Sequence, residues 1–523
     1  MIIDSRAIAH GSTLHGDLCI VGGGAAGIAI AREFLNHHWR VVLLESGETK
    51  PRHANQSLNR AEITGLPYPS LEVCRRRVLG GSTTIWGGWC RPLDVIDFEQ
   101  RDWVPYSGWP FKRSDLQSQY ARACVVCKAA ENGSDRESAD LPNSQTLLSS
   151  VQNHFEDILF HVAGTRFGET YVAALKEARN IELMLHANAL EIQTDDTCRM
   201  VISIRAATLA GNQFNVCARN FVLAGGGIEN PRLLLVSRRV QSSGVGNENG
   251  LVGRFFADHL HFKLRNVSLR GRRLPDFYRE HTTENGVFRG GMSVTDNTRR
   301  QDRLLGFAIT IHNANDPHDF VYPPFNNVGY ASLYALVKAL RDKEVPERFG
   351  HHIVTLMRHL DNAAILSFKK VVKPRWRTLA IGCRAEQSPN PNSRVLLDEE
   401  RDVFGVNKVR LDWRLTAKDR ESIARSRQLL EKEWIFPGGQ TTVRGKEEQR
   451  PEIAAAAHHM GTTRMHRDPK QGVVDEMCRV HGVRNLYIAG GSVFPTTGWA
   501  PPTLTVVALS LRLADFLKQN SSI

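Results

Sequence analysis

The chain has 523 residues, 41% of them hydrophobic and 23% charged, a balance that excludes a disordered chain and a length that favours two domains over one. Its formal net charge is +12, but Lys and Arg are scattered, and short clusters such as Arg75-Arg76-Arg77 and Lys369-Lys370 lack interleaved aromatics, so no nucleic-acid surface is expected. Nine cysteines without framework spacing, no basic leader and no apolar run of about 18 residues predict a reduced, cytoplasmic chain with no membrane span.

Asp17 to Glu45 reads as one βαβ unit. A short apolar strand ends in Gly22-Gly-Gly24-Ala-Ala-Gly27, an Ala/Ile-rich helix follows, and a second apolar run from Arg40 ends in Glu45. Glycines at this spacing permit a tight turn, close approach of backbone to a pyrophosphate, and close packing of helix on strand. The helix N-terminus offers free N–H groups to the phosphates. Glu45 stands where it would accept a bond from a ribose hydroxyl, and its charge would repel the 2′-phosphate of NADP.

Residues 46–79 are mixed and polar, suited to a surface excursion. The stretch Leu79-Gly80-Gly81-Ser82-Thr83-Thr84-Ile85-Trp86 follows, dense in residues that let a backbone hug a ligand. The same composition also fits a structural glycine loop. A helix is expected over Ser114–Ala130; its Cys124 and Cys127 have no second pair to complete a zinc site and read as packing. Strands are expected at Ile181–Leu185, Ala189–Gln193, Met200–Ala206 and Asn220–Ala224. The last runs into Gly225-Gly226-Gly227 and a turn at Glu229-Asn-Pro-Arg232 that starts a Leu-rich helix, a second strand–glycine–helix junction.

Beyond Asp258-His259 the character changes. Residues 266–449 carry more Arg and Lys, strands at Leu305–Ile311 and Val409–Trp413, and a helix over Lys418–Glu433, as expected of a substrate-facing domain. The C-terminal block holds His458-His459-Met-Gly461-Thr, then a strand Asn485–Ile488 leading into Gly490-Gly491-Ser492. Pro501-Pro502-Thr503 and a closing helix over Leu504–Lys518 complete it. Polar backbone at a sheet end is where ligands of open α/β sheets sit.

Taken together, the nucleotide unit, Gly80–Trp86, Leu223–Arg232, Asp258-His259, Glu386-Gln387 with Pro389–Arg394, and the C-terminal block resemble the glucose–methanol–choline (GMC) family of FAD-dependent oxidoreductases. The branch looks like the one with pyranose oxidase and bacterial sugar and polyol dehydrogenases. The resemblance implies an α/β fold, a doubly wound FAD-binding domain (1–100, 165–265 and 450–523) under a sheet-based substrate-binding domain (101–164 and 266–449). It implies that Gly22, Gly24 and Gly27 hold the FAD pyrophosphate, Glu45 the adenosine ribose and the backbone at Ala189 the adenine. Gly80, Gly81, Ser82, Thr83 and Trp86 would line the flavin and pyrophosphate, Gly490, Gly491 and Ser492 the ribityl chain, and Pro502 and Thr503 the pyrimidine edge. The family's active-site histidine falls on His458. Oxidising an alcohol sends a hydride to FAD N5 and a proton to a base, a task that suits an imidazole. The expected substrate is a small-molecule alcohol: a sugar, polyol or glycosylated compound.

Two positions depart from the family pattern. Ile85 stands where covalent relatives place the flavin-linking histidine, so non-covalent FAD is expected. Pro501 stands where the family places Asn or His to bond the substrate hydroxyl, and proline offers no such group; either His458 works alone, or Trp499, His459 or a substrate-domain residue substitutes. That gap leaves room for a flavoprotein with non-oxidative tailoring chemistry (lyase, isomerase or decarboxylase), or for a catalytically silent flavin-binding subunit. An NAD-dependent dehydrogenase would explain the first βαβ unit but not the C-terminal glycine block. The sequence names neither the electron acceptor nor the oligomeric state.

Overall fold

The computed structural model describes residues 1–129, 154–268, 275–284, 286–313, 336, 349–358, 378–433 and 453–520. Its first sheet runs Ile2–Asp4, Ile181–Leu185, Val41–Leu44, Ser12–Val21, Gln213–Leu223, Val201–Ala207, Asn188–Thr194, and Leu486–Ile488 also pairs with Gln213–Leu223. The pairings among the first five strands and that of Leu486–Ile488 are parallel; the last two strands in the order add antiparallel pairings. Val41–Leu44 is buried along its whole length, as a parallel strand covered on both faces requires.

Register brings the functional ends together. Val21 lies opposite both Leu44 and Leu223, and Leu223 lies opposite Ile488. The carboxyl ends of these strands therefore form one edge, from which Gly22–Gly24, Glu45, Ala224–Gly227 and Ala489–Gly491 all emerge. The helix Ala25–Glu33 leaves this edge and packs against Thr503–Gln519 and Phe167–Glu177. Gln117–Cys127 also packs on Thr503–Gln519: Tyr120 Oη meets Thr505 Oγ1 at 2.9 Å, and Arg122 bridges Asp515 and Glu33 at 2.6 Å each.

The second sheet is antiparallel, in the order Ala454–Ala455, Leu260–Ser268, Thr378–Ala385, Phe307–Asn313, Gly286–Val294, Phe155–Val162, Trp89–Cys90, with Glu280–Thr283 beside Gly286–Val294. Arg394–Arg401, Asn407–Asp412 and Ala61–Ile63 make a third, small sheet. The polar excursion after Glu45 thus reaches across to pair with a strand more than three hundred residues away. No described helix is long and apolar enough to cross a membrane.

Two local expectations shift. The helix expected from Ser114 begins with a 3-10 turn at Arg113–Leu116, and its α-helical part, Gln117–Cys127, ends at Lys128 in a left-handed conformation (φ 51°); Ala130 lies outside the described residues. Glu229-Asn-Pro-Arg232 is no turn but part of the helix Gly226–Val236, with Pro231 inside it. A proline there leaves the carbonyl four residues earlier without its helical donor. That carbonyl, Gly227 O, instead accepts from Thr462 Oγ1 at 2.7 Å, so a C-terminal residue removes the objection to helix.

Candidate active site

A cleft of about 550 Å³ opens along the shared sheet edge and runs to the second sheet. Gly22, Gly24 and Glu45 line it at the nucleotide unit, with Ala189 further along. Gly81, Ser82, Thr83, Ile85 and Trp86 form another wall, and Gly490, Gly491, Pro501, Pro502 and Thr503 a third. His458 and His459 complete it. Gly27, Gly80 and Ser492 lie behind this lining. Ser492 is buried, its Oγ accepting from Asn230 Nδ2 at 3.1 Å, and Gly80 N–H donates to Gly23 O at 2.7 Å.

The nucleotide end is shaped for a ligand. A Cβ on Gly27 would lie 1.9 Å from Gly22 O, so this glycine seats the helix against the turn, whereas a Cβ on Gly24 would meet nothing within 4 Å and would project into open space. Glu45 is buried and already accepts the N–H groups of Gly23 (2.9 Å) and Gly47 (2.7 Å); burial raises its pKa against these bonds. The glycine loop is held by Arg166, whose Nη1 donates to Thr83 O and Trp86 O, and by Trp86 Nε1 donating to Thr165 O at 2.8 Å. Arg75 and Arg77 share Glu229 at 3.0 Å each, while Arg76 Nε is buried with no partner, an orphaned donor on the same wall. Open backbone at a helix N-terminus, a buried acid and an orphaned cationic donor fit an anionic dinucleotide such as FAD.

At the other end, the histidine segment is fixed by a residue far away in sequence. Asp258 Oδ1 accepts the backbone N–H groups of His259 (2.7 Å) and His458 (2.9 Å), and Oδ2 accepts from Tyr68 Oη. The Asp258 N–H donates in turn to Gln387 Oε1 at 3.0 Å, which also accepts Trp413 Nε1 at 2.9 Å. Ala257 and Met460 exchange both backbone bonds at 3.0 Å, and Ala457 is held at φ 62°, unusual for a non-glycine residue. Burial lifts Asp258 to about 6 despite these donors.

The rings then sort their protons. His259 Nδ1 meets His458 Nδ1 at 2.9 Å, and His259 Nε2 faces Thr497 O at 3.4 Å. Burial lowers His259 to about 3, and burial with the neighbouring Arg384 cation and the cost of protonating beside His259 holds His458 well below its usual value, so both imidazoles are neutral. A carbonyl only accepts, which assigns the His259 proton to Nε2 and leaves His259 Nδ1 as the acceptor. His458 Nδ1–H must then donate to it. Its remaining nitrogen, Nε2, carries a lone pair and has no hydrogen-bond partner among the described residues.

Of the candidates to replace the missing side chain at Pro501, Trp499 is buried and donates to Asp94 Oδ2 at 2.7 Å, away from the cleft. His459 turns its Nε2 to Cys74 Sγ at 3.8 Å and packs on Tyr68 and Phe256. His259 is the imidazole that stands beside His458. The sequence marks Asp258-His259 as a motif but gives it no role, because the contact is made across the fold; Tyr68 and Arg384 carry no local pattern at all.

The FAD dependent oxidoreductase family model matches residues 17–314 and the GMC oxidoreductase model residues 389–510. The chain is 26% identical to the fructose dehydrogenase large subunit of Gluconobacter japonicus over 67% of its own length, a match that spans only 56% of that subunit. It is 23% identical to the 6'''-hydroxyparomomycin C oxidase of Streptomyces lividus over 95% of this chain and 90% of that one. Among solved structures, pyridoxine 4-oxidase from Mesorbium loti superposes with a TM-score of 0.55 at 14% identity, covering 96% of this chain and 99% of that one, a likeness of fold.

Proposed function

The chain belongs to the FAD-dependent oxidoreductases with a GMC C-terminal part, and from that premise we propose that it oxidises a CH–OH group of a sugar, polyol or glycosylated small molecule to a carbonyl. The observation that carries this reading is His458: a neutral imidazole whose Nδ1–H is committed to His259 and whose Nε2 is left open in the cleft. His458 Nε2 takes the proton of the substrate hydroxyl, and His259 keeps the ring in the tautomer that can do so. FAD, when bound, supplies the acceptor for the carbinol hydride.

Gly22, Gly24 and the N-terminus of Ala25–Glu33 would hold the pyrophosphate, with Gly27 and Gly80 shaping the cradle from behind. Glu45 would bind the adenosine ribose and Ala189 the adenine. Gly81–Thr83 and Trp86 would line the flavin, Gly490–Ser492 the ribityl chain, and Pro502 and Thr503 the pyrimidine edge. The cofactor is non-covalent at Ile85, an aliphatic side chain that forms no flavin bond. In this reading 1–100, 165–265 and 450–523 bind the cofactor and the described residues of 101–164 and 266–449 face the substrate, except that Trp89–Cys90, Leu260–Ser268 and Ala454–Ala455 join the second sheet and Gln117–Cys127 buttresses the cofactor side. His259 orients His458 but, with both of its nitrogens committed, does not itself replace the substrate-bonding group missing at Pro501.

Anaerobic titration tests the reading. A panel of sugars, polyols and glycosides added to the holoenzyme should bleach the flavin band. His458→Ala should lose that reaction about 100-fold or more while retaining FAD. Admitting oxygen then separates oxidase from dehydrogenase. Substrate turnover with the flavin unbleached and no external acceptor would overturn oxidation in favour of tailoring chemistry.

A further inference from the structure

The wall of the cleft opposite the nucleotide carries a charge that the histidines do not use. Arg384 lies on the inner strand Thr378–Ala385, opposite His261 on one side and Ala308 on the other, and reaches the cleft. Its Nε–H donates to His261 Nε2 at 3.0 Å, Nη1 is buried without a partner, and among the described residues no carboxylate pairs with it. Burial alone lowers its pKa to about 10, as expected of a desolvated cation with no counter-ion. Its surroundings add positive charge. The guanidiniums of Arg384 and Arg289 each lie 5.4 Å from the Trp89 ring centroid. After burial, these two cations are what hold His312 neutral. The other arginines of the cleft differ: Arg75 and Arg77 are paired with Glu229, and Arg76 belongs to the segment leading into the glycine loop.

Resting on the alcohol-oxidation reading, we propose that Arg384 binds a carboxylate carried by the substrate, so that the alcohol oxidised here is a hydroxy acid of the sugar-acid or polyol-acid class. A guanidinium presents a planar pair of N–H donors that matches a carboxylate, and one cation balances one monoanion. A phosphate dianion would call for a second free cation, and among the described residues no lysine lines the cleft. The bound carboxylate also acts on the chemistry. Arg384 is one of the charges that depress His458, so neutralising it strengthens the base only when a charged substrate is in place, an advantage that a neutral sugar does not bring.

The test uses anaerobic holoenzyme and two readouts, flavin bleaching and perturbation of the flavin spectrum by a non-oxidisable acid. D-gluconate and D-glucuronate should half-saturate bleaching at concentrations at least tenfold below those for D-glucitol and D-glucose, and glutarate should perturb the spectrum. Arg384→Gln should abolish the glutarate effect and collapse the acid-over-neutral ratio towards one. Arg384→Lys should restore part of both, which guards against a variant that merely misfolds. Equal half-saturation for acid and neutral probes, preference for glucose 6-phosphate, or an unchanged acid preference in Arg384→Gln would each overturn the proposal. If no alcohol bleaches the flavin but glutarate perturbs wild type and not Arg384→Gln, the anion site stands and alcohol oxidation falls. If alcohols bleach it regardless of charge, oxidation stands and the anion site falls.

Discussion

Asp258 Oδ1 and the backbone N–H of His458 are hydrogen-bonded at 2.9 Å although 200 residues separate them in the chain. The same oxygen holds His259 N–H, so one carboxylate sets the position of both imidazoles. Removing it in Asp258→Ala leaves two buried donors unsatisfied and frees the Tyr68 hydroxyl, a loss of about 4 kcal/mol at about 1–3 kcal/mol per orphaned group. Asp258→Asn keeps a carbonyl oxygen for the two donors and presents its amide to Tyr68. Burial has already lifted Asp258 to about 6, so the neutral replacement should cost no more than about 1–2 kcal/mol. Thermal or urea unfolding of the two variants checks the order, and flavin reduction should fall more steeply in Asp258→Ala.

The pairing of His259 with His458 has a pH signature. His259 is lowered from 6.5 to about 3 by burial, so between those values the unfolded chain takes up a proton at this position that the folded chain refuses. Its contribution to stability is therefore full above pH 6.5 and is lost as the pH falls towards 3. Comparing wild type with His259→Asn isolates it: the stability difference should move against wild type by about 1.4 kcal/mol per pH unit between pH 6 and 4. Urea unfolding at a series of pH values reads the slope, and parallel lines for the two proteins would contradict the assignment. Flavin reduction in His259→Asn should also slow, by about tenfold or more, because the acceptor that fixes the His458 tautomer has changed.

The first βαβ unit was fully legible from its spacing, because glycine positions there are dictated by backbone contacts that any such unit must make. Strands expected at Ile181–Leu185, Ala189–Gln193 and Met200–Ala206 and the closing helix fall within a residue or two of the observed elements. Asn220–Ala224, however, is only the end of Gln213–Leu223, and Phe155–Val162, Leu260–Ser268, Gly286–Val294 and Thr378–Ala385 of the second sheet were not read. What local reading missed depends on distant partners. Glu229–Arg232 looked like a turn because of Pro231, and only Thr462 makes helix acceptable there. His458 was singled out by the resemblance of its segment, but its partner had no local signal, since His259 meets it through strand pairing between Ala257 and Met460. Arg384 sits in an ordinary β-pattern; what distinguishes it is the lack of an acid nearby, a property of the fold rather than of the neighbouring residues.

Ile85 is partly exposed, at 37%, and lines the cleft beside Trp86. With an aliphatic side chain at that position, acid precipitation of the holoenzyme should leave the yellow chromophore in the supernatant, running as free FAD on chromatography. A flavin that stays with the precipitate would require a different attachment residue.

Gly24 and Gly27 separate folding from cofactor binding within one motif. A methyl at Gly27 would lie 1.9 Å from Gly22 O and cannot be accommodated by a rotamer change, because the clash is with backbone. Gly27→Ala must therefore push the helix Ala25–Glu33 off the sheet, and it should lower the melting temperature of the apo-protein as well as abolish FAD binding. Gly24 has φ −84°, a conformation open to alanine, and nothing lies within 4 Å of the added carbon. Gly24→Ala should leave the apo-protein as stable as wild type while the new methyl occupies space that the pyrophosphate needs, weakening FAD binding at least tenfold. Melting curves of apo-protein and FAD titration by fluorescence quenching give the two numbers independently. If Gly24→Ala bound FAD as tightly as wild type, the pyrophosphate would not lie against this turn, and the placement of the dinucleotide along the sheet edge would have to be redrawn.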